Sequence, residues 1–174
     1  MVPVINAEGT MELDDDIRII GEQEKRLRWR SFDAGAAWDI GCRLRDRAAA
    51  DRLPVAIDVT LHAMPVFYTA LDGSSPDNAR WVRRKRNVAL HFLRSSYGIG
   101  RQLAQQGSSL QEKFALSDAD YAAHGGSFPI CVEGAGCIGA VTVSGLPQRD
   151  DHELVVAVLC EMLGIEDEGL RLPS

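Results

Sequence analysis

The sequence predicts an α+β fold in which helices cover an antiparallel sheet. Two β-branched or aromatic runs, Val55 to His62 and Met64 to Leu71, lie almost end to end, as consecutive antiparallel strands do. A second pair, Phe128 to Glu133 and Cys137 to Ser144, is joined by the turn-rich Gly134-Ala135-Gly136. Amphipathic helical stretches separate the two pairs, which places helices between hairpins and not between parallel strands.

Each element has its own local cause. Residues 1–12 are expected to form a flexible arm, followed by one domain over 13–174. A helix from Leu13 to Gln23 follows from Asp14, Asp15 and Asp16, which suit the positive end of a helix dipole. Arg26 to Phe32 alternates, with Leu27 and Trp29 opposite Arg26, Arg28 and Arg30, and predicts an edge strand with one wet face. Asp33 can cap a helix to about Arg52, with Ala37, Ile40, Leu44 and Ala48 at helical spacing and Pro54 as its stop. Ser75 before Pro76 opens a helix to about Ser95. A second amphipathic stretch reaches Gln106, and Gly107 to Ser109 reads as a polar loop. Ser117 to Asp120 can start a short helix ending at Gly125-Gly126. The last helix begins near Asp150, carries the stripe Leu154, Val155, Val158, Leu159 and Met162, and closes at Gly164. The order is α, β, α, β, β, α, α, β, β, α, with five strands. Both faces of the sheet should be covered, because the strands carry few charges.

Composition narrows the function classes. The 174 residues are 45% hydrophobic and 25% charged, enough for one core, and no apolar stretch is long enough to span a bilayer. The acidic N-terminus lacks the layout of a secretory signal, so a soluble, cytoplasmic protein with no membrane partner is expected. Cys42, Cys131, Cys137 and Cys160 form no short C-x-x-C pair and are expected mainly as buried thiols. Cys131 and Cys137 flank the hairpin turn and could face each other. The net charge of −6 hides one basic segment, in which Arg80, Arg83, Arg84, Lys85, Arg86 and Arg94 occur with no acid among them. No aromatic platform or groove-reading motif accompanies it, so nucleic acid is not an expected partner.

Lys85 is the positional anomaly of that helix, because Trp81, Lys85, Val88 and Phe92 share one face. Its ammonium could snorkel, pair with an acid of the sheet such as Asp58, or reach an anionic ligand. Arg80, Arg83 and Arg84 fall on the other flank, as a solvated face or a subunit contact. The second constellation is Ser144-Gly145-Leu146-Pro147-Gln148-Arg149-Asp150-Asp151-His152, which leaves a strand and enters a helix. Its unpaired N–H groups could bind an anion, or Asp150 or Asp151 could cap them. The four histidines show no H-x-x-x-H spacing, so no metal site is expected. The Gly134-Ala135-Gly136 turn lacks the following helix that a dinucleotide fingerprint requires, and there is no G-x-S-x-G elbow.

Three segments together resemble a known family: Asp77-Asn78 with Trp81, Arg84-Lys85 and Asn87-Val88; Gly125 to Ile130; and Val143 to Gln148 with Asp151-His152. The chain, from about residue 13 to 164, is similar to the stand-alone branch of the haem-degrading domain family, relatives of HbpS, GlcG and the PduO C-terminal domain. The resemblance implies a profilin-like α/β/α sandwich around a five-stranded antiparallel sheet, and assembly as a homo-oligomer. It also implies haem, or a similar anionic small molecule, bound non-covalently near subunit contacts, with Lys85, Arg84, Ser144, Gly145, Asp151 and His152 as binding residues. Lys85 and Arg84 would meet the propionates, and His152 would be the axial or proton-handling group. Oxidative haem breakdown follows from the resemblance alone, and no catalytic residue is assigned. The competing expectation is a scaffold or adaptor oligomer without a small-molecule ligand, whose motif residues hold turns and caps.

Overall fold

The computed structural model describes residues 7–173. Six helices and four strands follow one another as α1 (Ala7–Arg26), α2 (Ala34–Ala50), β1 (Ala56–Leu61), β2 (Met64–Ala70), α3 (Pro76–Phe92), α4 (Ser96–Gln105), α5 (Leu110–Phe114), β3 (Ser127–Val132), β4 (Gly136–Ser144) and α6 (Gln148–Leu163). The strands form one antiparallel sheet in the order β2-β1-β4-β3.

Residues on the two faces differ in kind. Register places Ile57 beside Val143, and Val59 beside Val141, which in turn pairs with Phe128. These side chains belong to the main core, closed by Ile40 and Leu44 of α2 and by Val155 and Leu159 of α6. On the opposite face Asp58 pairs with Thr142, and Thr142 with Ser127. That face is covered by α3, which buries Val82, Lys85, Val88 and Ala89. The sheet is therefore apolar toward α2 and α6 and polar toward α3.

Three expectations about element boundaries and number are corrected. The sheet has four strands and not five, because Arg26 to Phe32 is no strand. Its alternation is real, with Leu27 and Trp29 buried between exposed Arg26, Arg28 and Arg30. However, α1 runs through Arg26 and α2 begins at Ala34, and the few residues between them make a single parallel bridge, Trp29 to Val132. The Trp29 N–H donates to Cys131 O and the Glu133 N–H to Trp29 O, so the linker is pinned to the sheet at one point. Of the arm expected over 1–12, residues 7–12 lie in α1, and residues 1–6 fall outside the described residues. Ser117 to Asp120 forms only a turn, and the short helix lies earlier, at α5. There Ser109 and Glu112 exchange bonds as a capping box.

Other boundaries fall near their causes. Asp33 caps α2 by accepting from the Ala36 N–H at 2.8 Å, and Gly164 closes α6 in the left-handed conformation. Cys131 and Cys137 are opposite one another in the register and form a disulfide, which corrects their reading as thiols. Cys42 and Cys160 are free.

Candidate functional site

A cleft of about 250 Å3 opens where α3, β4 and α6 meet, lined by Asn78, Trp81, Lys85, His124, the turn Ser144-Gly145-Leu146 and Gln148. Backbone geometry brings these segments together. Asn78, in the first turn of α3, accepts from the Ser75 N–H at 2.6 Å and donates to Ser144 O at 3.2 Å, tying the start of α3 to the end of β4. Any side chain at Gly125 would strike Gln148 O, and one at Gly126 would strike Val143 O. Gly126 also has φ +123°, so the two glycines let the loop before β3 pass against β4 and α6.

Lys85 forms the floor. It is 3% exposed, and its Nζ donates to Asp151 Oδ2 at 2.7 Å and to Val143 O at 3.4 Å. Asp151 is fully buried and accepts from the Gly145 N–H at 3.3 Å and the Leu146 N–H at 3.1 Å. It therefore holds the β4–α6 turn from beneath and does not cap α6, whose first turn has no side-chain cap. Burial raises the Asp151 carboxyl and lowers the Lys85 ammonium, and each opposes the other's shift through its own charge. The 2.7 Å contact and two amide donors favour the ionised pair.

The rim is aromatic and cationic. The rings of Trp81 and His124 meet edge to face at 5.2 Å, and the Arg84 guanidinium lies 4.5 Å from the Trp81 ring centroid. Burial, followed by the charges of Lys85 and then Arg84, lowers the His124 pKa below its ordinary value. A neutral imidazole at the cleft wall offers an unprotonated ring nitrogen at pH 7.

The sequence-predicted residues divide accordingly. Lys85, Ser144 and Gly145 line the cleft, Arg84 flanks its rim, and Asp151 lies under its floor. The proposed acid for Lys85, Asp58, is instead held by Arg86 at 3.1 Å and by Thr60 at 2.9 Å. His152 is outside the cleft: it is fully buried, with Nε2 2.8 Å from Gln23 Oε1 and its ring beside Tyr97. Adjacent residues on a helix diverge by about 100°, so Asp151 and His152 turn to different neighbours. Burial, then the charge of Arg149, lowers the His152 pKa to about 3. The imidazole at the cleft is His124, which no spacing motif marks; its sequence signal is its place directly before Gly125-Gly126. Among the described residues no group of three His, Cys, Asp or Glu side chains is placed to hold a metal ion, and no helix is long and apolar enough to cross a membrane.

A four-stranded antiparallel sheet carrying helices on both faces, with a polar-floored cleft at the end of β4, defines an α+β architecture. Residues 32–160 match the family described as haem degrading protein HbpS-like, and the chain belongs to that family. A UPF0303 protein of Sinorhizobium medicae (strain WSM419) is 55% identical over 164 residues, covering 94% of this chain and all of that one. The Ybr137w protein superposes with a TM-score of 0.80 at 28% identity, over 93% of this chain and 99% of that one. A PduOC–haem complex superposes with a TM-score of 0.62 at 15% identity, over 76% of this chain and 94% of that one, which is a likeness of fold.

Proposed function

We propose that the cleft between α3 and α6 binds an anionic small molecule by its carboxylate edge, with haem as the first candidate, in a non-covalent site of a homo-oligomer. The observation that carries this is the nearly buried Lys85 ammonium at the floor of a cleft that also receives the uncapped start of α6. Membership of the HbpS-like family and the haem complex of a protein of the same fold support haem in particular. Lys85 and Gln148 would receive carboxylates, Arg84 would add positive charge at the rim, and His124 would offer its neutral nitrogen to iron. The buried Asp151 acts through the positions of Lys85, Gly145 and Leu146.

The residue types fit the group, and the volume constrains how. About 250 Å3 lies below the roughly 300–1,000 Å3 of pockets that enclose drug-sized ligands, so one chain admits an edge of a macrocycle and leaves the rest over Trp81 and His124. Bound haem supplies redox chemistry at iron; this chain's residues supply charge, a ring nitrogen and shielding from water.

The scaffold reading draws on a different observation. Lys85 and Asp151 satisfy one another, and Asp151 satisfies two turn amides, so both residues have a structural duty without a ligand. Haem titration of the purified protein, read by Soret absorbance and by mass of the assembly, separates the two. Binding predicts a saturable shift that His124→Ala and Trp81→Ala weaken without changing the assembly. Absence of a saturable shift in the wild-type protein would replace this reading with the scaffold.

A further inference from the structure

Four consecutive cations of α3 have unequal partners. Arg83 pairs with Asp120, Lys85 with Asp151 and Arg86 with Asp58, whereas Arg84 lies against the Trp81 ring and makes no ion pair among the described residues. A guanidinium beside apolar walls and without a carboxylate partner favours an anion.

Arg84 also lines a second cavity, of about 350 Å3, which shares His124 with the cleft. Its inner wall is apolar: Leu103 and Leu110 belong to a buried cluster with Val88 and Ile99, against which Tyr121 packs. Its outer wall is the segment 117–124, fastened to α3 at several points. The Ala122 N–H donates to Arg84 O at 3.1 Å, the Asn87 amide to Asp120 O at 2.8 Å, and Arg83 to Ala119 O at 2.8 Å. These bonds hold the wall in place, so the cavity is part of the fold. One acid, Asp118, stands on the exposed rim.

We infer that this cavity is a second ligand site, for a small carboxylate with an apolar body: the carboxylate accepts from Arg84, and the body lies against Leu103 and Leu110. The apolar wall disfavours a bare inorganic anion, and the Arg84 charge without an ion-pair partner disfavours a neutral hydrocarbon. Asp118 opposes the anion from the rim and weakens the site without blocking it.

The test is titration of the full chain with hexanoate and benzoate, and with hexanamide and benzamide as uncharged counterparts, followed by backbone amide NMR shifts. The expected result is saturable binding of the carboxylates only, with shifts at Leu103, Leu110 and 122–124. Arg84→Gln weakens it at least about tenfold, Arg84→Lys weakens it less, and Asp118→Asn tightens it several-fold. Urea midpoints of the variants verify that each is folded. No saturable binding to about 10 mM, equal binding of the amides, or affinity unchanged in Arg84→Gln overturns the inference. Carboxylate shifts confined to Asn78 and Gln148 also overturn it, while supporting the neighbouring cleft; loss of haem binding alone leaves this site standing.

Discussion

Replacing Lys85 with Met removes a buried positive charge while keeping a side chain of similar length. Asp151 is then a fully buried carboxylate whose remaining partners are the Gly145 and Leu146 N–H groups. Removing one member of a buried pair costs about 3–5 kcal/mol, and the two retained hydrogen bonds place the expected loss at the lower end, about 3 kcal/mol. For an m-value of about 2 kcal/mol/M, the urea midpoint falls by about 1.5 M. The loss also depends on pH. Burial already raises the Asp151 carboxyl and the Lys85 charge opposes that rise, so the variant's folded-state pKa climbs further above its unfolded value. A raised acid favours the folded state at low pH and ceases to do so as pH rises through the folded pKa. The deficit should therefore be full at neutral pH and shrink as the solution is acidified. The double variant Lys85→Met with Asp151→Asn carries no lone charge and should recover part of the loss. A deficit below about 1 kcal/mol at pH 7, or a double variant less stable than the single one, would refute the ionised pair as the support of the β4–α6 turn.

His152, fully buried with its pKa lowered from 6.5 to about 3, binds a proton in the unfolded chain before it does in the folded one. Its contribution is complete above pH 6.5 and is lost as pH falls toward 3, by about 2 kcal/mol at pH 5; urea midpoints of wild type and His152→Asn, compared from pH 7 to 4, should converge on acidification, and parallel curves contradict it. Gly125→Ala drives a methyl group into Gln148 O and should cost about 3 kcal/mol while shifting the NMR signals of the cleft, whereas a stability loss without those shifts would separate the loop from the site. Asp33→Ala removes the cap of α2 and should cost about 1 kcal/mol in the same denaturation assay, with no effect on ligand binding.

Most of the fold was legible because its signals are local. Asp33, the Ser75-Pro76 pair, Pro54 and Gly164 mark helix ends through their own backbone chemistry, and the two hairpins are written as β-branched runs around turns. The capping box of α5, Ser109 with Glu112, is equally local, but it opens at the end of 107–109, which reads as a polar loop. The extra strand at Arg26 to Phe32 shows the limit of alternation, which reports that Leu27 and Trp29 are buried but not how many residues remain to pair. The site was less legible because its determinants are distances between side chains far apart in sequence. Periodicity marks Lys85 as out of place on its helix face. Only the folded chain shows that Asp58 is taken by Arg86, so the acid for Lys85 is Asp151, 66 residues away. The polar sheet face and the start of α6 together explain why a helix with six basic residues in its neighbourhood can pack at all: Asp58 and Thr60 receive Arg86, and Asp151 of α6 receives Lys85, where apolar surroundings would leave both unpaired. The role expected of His152 comes from the family resemblance alone, and successive residues on a helix turn apart, sending Asp151 beneath the cleft and His152 against Gln23. Asp151 and His152 thus keep the start of α6 in place, and the proposed binding role rests on Lys85 at the floor with Trp81 and His124 at the open rim.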